Sequence, residues 1–136
     1  MEIKKASERN ANDLVSLFDE ARATIAKLGI NQWQNGYPSR EIVDVDISLA
    51  RSYVVLDNDA LCGTFVLIDD TEPTYEKIYE GEWHTGNDNK NYVAIHRVAV
   101  SVAMRGKGIS TAIINFASDY AKKRGALSLR DRKSVV

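Results

Sequence analysis

"VAVSVAMRGKGISTAII", Val98 to Ile114, joins a strand-like run to a helical pattern through a loop in which glycine alternates with a cation. Valines lead in, Gly106 and Gly108 break the run, and Ile109, Ala112 and Ile113 then fall at helical spacing. The first turn of a helix leaves its N–H groups without partners, and the peptide dipoles gather about half a positive charge there. Such an end takes a phosphate or pyrophosphate. Gly106 and Gly108 let the backbone approach oxygens closely, Arg105 and Lys107 bring charge to the mouth, and Ser110 adds a hydroxyl donor. The helix end contributes about 0.3–2 kcal/mol to holding an anion, and each charge-assisted hydrogen bond about 1.5–3 kcal/mol.

Spacing tests the rival phosphate motifs. A P-loop needs glycine five residues before its Gly-Lys and a hydroxyl residue straight after the lysine; Ser101 and Gly108 stand there instead. A dinucleotide fingerprint needs a third small residue where Thr111 stands, in the first strand–helix unit rather than late in the chain. Both fail. The plain alternative is a tight strand-to-helix turn flanked by solvated cations.

Outward from this loop, "YVAIHRVAVSV" reads as a central strand, apolar on both faces except for His96 and Arg97. The helix from Gly108 runs to Arg124, with Lys122, Lys123 and Arg124 in its last turn and Gly125 as its stop, and "ALSLR" is the next strand. Toward the N-terminus, "MEIKKAS" forms a short strand. Leu14, Leu17, Phe18, Ala21, Ile25 and Leu28 mark a helix from Asn12 to Leu28, capped by Asn10 and ended by Gly29. "GINQWQNGYPS" is a turn-rich loop, and "REIVDVDISLA" a second, shorter helix. "SYVVLDNDALCGTFVLID" gives two strands joined at Asn58-Asp59. The polar stretch 71–91 reads as a helical turn followed by a loop. This order predicts an α/β or α+β domain around a mixed sheet.

The chain has 136 residues, 44% hydrophobic and 27% charged, the balance of one soluble globular domain. A formal net charge of −1 supplies no global field for nucleic acid or an anionic membrane, so any anion site is local. Cys62 is the only cysteine, which excludes an internal disulfide and a multi-cysteine metal cluster; it reads as a small buried hydrophobe, and no metal is expected. No apolar run approaches the roughly 18 residues of a spanning helix, and "MEIKKASERN" lacks the apolar stretch of a signal peptide. A cytoplasmic location is the expectation.

"AMRGKG" also resembles the acyl-CoA signature Q/R-x-x-G-x-G/A of the GNAT (GCN5-related N-acetyltransferase) superfamily. Gly106 and Gly108 are in register and Arg105 precedes them; Ala103 stands where the family has Gln or Arg, which removes a side chain but no amide. "INQWQNGYPS", the Y-x-x-I-x-x-G-x-W pattern from Tyr75 to Trp83, and "AIHRVAV" extend the resemblance, which covers residues 1 to about 130. It implies a mostly antiparallel sheet flanked by helices, with a β-α-β acyl-CoA unit. It further implies that the strand at Val98, Ala99 and Val100 pairs with the pantetheine arm, and that amides from Arg105 through Gly106, Lys107, Gly108 and Ile109 to Ser110 hold the pyrophosphate. The strand from Ala126 is then expected to splay from its neighbour and open a cleft for the thioester.

The implied activity is direct transfer of an acetyl group from acetyl-CoA to a primary amine of a small molecule or peptide. A backbone N–H near Val98 is the family-type oxyanion donor. His96, with imidazole's ordinary pKa of about 6.5, suits a general base, against the plainer reading of a structural strand histidine. Glu82 is a second candidate, acting through water, or else a solvated loop acid. Trp33, Tyr37, Tyr75 and Trp83 either wall an acceptor pocket or pack as a satellite core under their loops.

The family continues past this last strand with a further helix, which commonly carries a tyrosine acid, and a final strand pair. "DRKSVV" does not match that continuation, and none of Tyr37, Tyr75, Tyr79 or Tyr120 falls at the acid's place. The expectation is a single domain over residues 1–136, incomplete at its C-terminus, whose uncovered sheet edge invites a homodimer. Two rival functions stay open: a non-catalytic acyl-CoA-binding remnant, and a structural or interaction protein whose G-x-G is only a turn.

Overall fold

The computed structural model describes residues 1–29, 37–69, 92–126 and 128–131. Strand β1 is Glu2–Lys5, followed by helix α1 (Ala11–Lys27), helix α2 (Arg40–Ser48), β2 (Ser52–Asp57), β3 (Ala60–Asp69), β4 (Tyr92–Val100), α3 (Ile109–Lys123) and β5 (Ser128–Asp131). The sheet order is β1-β2-β3-β4-β5. The first four strands pair antiparallel, and β5 lies parallel to β4 across the α3 crossover. This is the mixed, mostly antiparallel sheet with a β-α-β unit that the sequence predicts.

Helix α1 forms because Leu14, Leu17, Phe18, Ala21 and Ile25 share one face, and all five are buried. Its start differs from expectation. A 3-10 turn at Glu8–Asn10 leads directly into the helix, so Asn10 already has helical backbone rather than the extended backbone of a cap. Its Oδ1 accepts from the Ser7 N–H at 2.8 Å and makes no cap bond to α1. Gly29, at φ 78°, ends α1 as expected. Helix α2 does have a side-chain cap: Ser39 Oγ accepts from the Ile42 N–H at 3.3 Å. The β2–β3 turn holds Asn58 and Asp59 at φ 54° and 68°, the positive values a two-residue hairpin loop demands.

The sheet separates two apolar clusters. One packs Leu14, Phe18 and Ile25 of α1 and Val43 of α2 against Val54 and Ala99. The other packs Ile109, Ile113 and Ala117 of α3 against Val55, Phe65, Ile95, Val98 and Val100. Cys62 is buried in the second cluster, its Sγ donating to the Val55 carbonyl at 3.4 Å. No helix among the described residues is long and apolar enough to cross a membrane, and no group of three or more candidate metal ligands occurs among them. The stretch 71–91 and most of the loop after α1, residues 30–36, lie outside the described residues.

One close approach sets where α3 begins. A Cβ built on Gly63 of β3 lies 3.0 Å from Ile109 Cγ2, with the Ala99 carbonyl oxygen at 3.4 Å. Ile109 is the first residue of α3 and is buried, so a methyl at position 63 pushes on the helix start. Gly63→Ala is expected to cost a net roughly 1–2 kcal/mol, overpacking outweighing the entropy removed from the unfolded chain. Denaturant titration checks it: an unchanged midpoint shows that the helix start yields freely.

Candidate functional site

Beyond Val100, the chain is tied down before it turns. Ser101 N–H donates to the Cys62 carbonyl at 2.9 Å, and Val102 N–H donates to Glu20 Oε2 of α1 at 3.2 Å. A 3-10 turn over Val102–Met104 carries Ala103, and the N–H groups of Arg105 and Lys107 close back on Val102 and Met104. Gly106 and Gly108 then adopt φ 79° and 85°, and Gly108 occupies the cap position of α3 in left-handed conformation. The first helical bond is Ala112 N–H to the Gly108 carbonyl at 3.0 Å. Among the described residues no acceptor meets the amides of Gly106, Gly108, Ile109, Ser110 or Thr111. Arg105 and Lys107 are exposed and form no ion pair among the described residues.

A cavity of about 550 Å³ opens at this turn, lined by Val100, Met104, Arg105, Gly106, Gly108, Ile109, Ser110 and Thr111. Six of these were expected from sequence. Val98 and Ala99 do not line it: their side chains are buried on opposite faces of the sheet, which leaves only their backbone for a ligand. Lys107 is not among the lining residues. Ile109 contributes its amide, because its side chain packs into the core. Thr111 was missed, although it belongs to the same first helical turn whose amides define the site. Met104 was missed because nothing in its chemistry marks it.

Strand β4 carries an irregularity. Thr64 faces Ala99 and Val66 faces His96, so Phe65 alone stands opposite both Arg97 and Val98. This is a bulge, with Arg97 at φ 47°. A non-glycine residue there stores about 1–3 kcal/mol of strain. The side chain of Arg97 is aimed at α2: Nε donates to Asp46 Oδ2 and Nη2 to Asp46 Oδ1, both at 2.8 Å, and Nη1 donates to the Tyr37 hydroxyl at 3.0 Å. Arg51 Nε donates to Asp46 Oδ1 from the other side at 2.8 Å. Asp46 is 3% exposed and Arg97 9%, so this is a buried forked ion pair rather than a surface contact. Burial works against the guanidinium's charge, but the bonds to Asp46 and then Tyr37 outweigh it and hold its pKa above the ordinary value.

The remaining candidates divide by position. His96 is half-buried beside the bulge, level with Val66 on β3. Tyr37 is 36% exposed; besides its bond from Arg97, its carbonyl accepts from Arg22 Nη1 of α1 at 3.2 Å. It is fixed between α1 and the bulge, with one side open. Glu82, Trp33, Tyr75 and Trp83 lie outside the described residues. Described β5 pairs with β4 only from Tyr92 to Ile95, so past that point no described residue pairs the outer edge of β4. Of the fork, the sequence marks only Arg97, as one of two adjacent polar residues in an apolar strand, without assigning it a role; nothing marks Asp46.

The acetyltransferase (GNAT) family profile matches residues 16–134, and the chain belongs to that family. Over 43 residues, 32% of the chain, it is 44% identical to an uncharacterized N-acetyltransferase of Methanocaldococcus jannaschii, a match spanning 19% of that protein. Among solved structures, it is similar to a GNAT-family acetyltransferase of Streptococcus agalactiae, with a TM-score of 0.68 and 34% identity over 84% of the chain and 66% of that protein. A GNAT-family acetyltransferase of Brucella melitensis, solved in complex with acetyl-CoA, shares the fold at 17% identity and a TM-score of 0.60, over 94% of this chain and 72% of that one. The chain thus spans about a fifth of the curated relative and just under two thirds of the Streptococcus structure.

Proposed function

We propose that this chain is an acyl-CoA-dependent N-acetyltransferase, moving an acetyl group directly from acetyl-CoA to a primary amine of a small molecule or peptide. The observation that carries the reading is the turn at Arg105–Ser110, where amides without acceptors, two cations and a cavity meet at the start of α3. The residues fit a diphosphate: a Cβ at Gly106 or Gly108 meets nothing within 4 Å, so the space beside each is open to oxygens. Acetyl-CoA, when bound, supplies the activated acetyl thioester.

The chain's own part is to bind and orient. The amides from Gly106 to Thr111 and the charge of Arg105 grip the diphosphate, and Lys107 adds charge from outside the wall. The backbone of Val98, Ala99 and Val100 holds the arm along the outer edge of β4. An N–H near Val98 donates to the acyl oxygen. His96 takes the proton of the attacking amine at a ring nitrogen, with Glu82 as the alternative acceptor through water. Tyr37 forms part of the acceptor wall, together with Trp33, Tyr75 and Trp83.

Calorimetric titration with acetyl-CoA, followed by thiol release over a panel of amines, tests this. Binding in the micromolar range, about −8 kcal/mol, with amine-dependent thiol release is the expected result. Binding without turnover on any amine reduces the chain to an acyl-CoA-binding protein. No binding, together with no thermal protection, removes the reading.

A further inference from the structure

We propose that Arg97 is a positioning residue for acyl transfer: its forked pairing with Asp46 fixes the β4 bulge at one place, so that the strand amide near Val98 faces the acyl oxygen. This rests on the acyl-CoA reading above. Four described non-glycine residues have positive φ, and Ala50, Asn58 and Asp59 lie in turns; Arg97 alone lies inside a strand. The core explains why an extra residue is needed. Ala94 pairs with Ile68 and Ala99 with Thr64, and the side chains of Val98 and Val100 must meet α3 while Ala99 meets α1. Those constraints require one residue too many somewhere between Ala94 and Ala99. They do not decide which residue takes the left-handed conformation.

The ion pair decides it. Two parallel N–H···O bonds of 2.8 Å fix the orientation of the guanidinium plane, not just its distance. Asp46 is itself held by Arg51 at 2.8 Å, and the third donor of Arg97 reaches Tyr37 at 3.0 Å. The side chain is therefore anchored to α2 and to the segment before it, and the backbone of residue 97 follows. Released, the extra residue is free to move to a neighbouring position, which turns the peptide planes around Val98. A point charge on a flexible stem cannot substitute, since it lacks the fork.

The test reads the acyl group itself. Carbonyl-13C-labelled acetyl-CoA is bound to the wild type and to Arg97→Lys and Asp46→Asn, and the displacement of its carbonyl resonance from the free value is measured. In the wild type the resonance is expected to move downfield, as a hydrogen-bonded carbonyl does. In both variants roughly half or more of that displacement is lost, because neither retains a charged fork-to-carboxylate pair. Some affinity for acetyl-CoA is lost with the contacts around Val98, but the pyrophosphate amides lie on a different element and keep the variants able to bind, so the resonance is read at saturating acetyl-CoA. Arg97→Lys keeps a cation beside Asp46 and is the variant least at risk of failing to fold.

An undiminished displacement in the folded Arg97→Lys protein overturns the proposal. A wild type that binds acetyl-CoA without displacing its carbonyl also overturns it, and leaves the acyl-CoA reading standing. A wild type that binds no acetyl-CoA removes both.

Discussion

Gly106→Glu is expected to weaken acetyl-CoA binding more than about a hundredfold, a loss of roughly 2.7 kcal/mol or more. Two separate effects add. Gly106 sits at φ 79°, where a side-chain-bearing residue costs about 1–2 kcal/mol. The new side chain starts in space where a Cβ meets nothing within 4 Å, so its base displaces no protein atom. That open space is where the diphosphate is proposed to sit, and a like charge there opposes hydrogen bonds worth about 1.5–3 kcal/mol each. Gly106→Ala separates the two effects, because it keeps the strain and omits the charge; a loss of roughly tenfold is expected. Calorimetry on both variants, with a thermal melt to confirm folding, is the check. If Gly106→Glu binds within about threefold of wild type, the diphosphate does not lie at this turn, whatever else the chain does.

The elements that are readable from sequence are those whose cause is local. The α3 start follows from Gly108 and the apolar spacing after it, and the β2–β3 hairpin from Asn58-Asp59, whose side chains tolerate the positive φ they adopt. The anion turn is local in the same sense, since its donors are consecutive residues of one helix end. Asn10 shows how narrow the margin is. The residue type is right for a cap, but Ser7, three residues upstream, offers an N–H that its Oδ1 takes instead. The β4 bulge is another matter. It is an offset between two strands, set by which side chains of Val98, Ala99 and Val100 must meet which helix, and a single strand's sequence does not contain that information. Asp46 is harder still. In "REIVDVDIS" it reads as one of the polar residues of a short surface helix, and its burial becomes intelligible only with Arg97, 51 residues away. His96 and Tyr37 stand out in the sequence by their chemistry, and the structure sets one beside the bulge and bonds the other to it.

Asp46→Ala is expected to destabilise the fold by about 3–5 kcal/mol, lowering the melting temperature by roughly 10–20 °C. Arg51 has a side chain 30% exposed and can swing into water when its partner goes. Arg97, at 9%, cannot, and it loses both bonds of its fork while remaining charged in a desolvated place. The cost is that of taking the carboxylate from a buried cation that keeps its bond to the Tyr37 hydroxyl, and it exceeds the net worth of the intact pair. Replacing both partners with apolar side chains, as in Asp46→Leu with Arg97→Met, removes the buried charge, and roughly half or more of the lost stability is expected to return. The bulge clamp does not return with it, because Met has nothing to hold φ 47° in place. Stability and positioning therefore come apart in the double variant: its melting temperature rises toward wild type while the displacement of the bound acyl carbonyl stays reduced. A single variant that melts within about 2 °C of wild type refutes the buried-pair energetics. A double variant that regains the carbonyl displacement along with its stability shows that packing around Phe65, rather than the Arg97–Asp46 fork, sets the bulge.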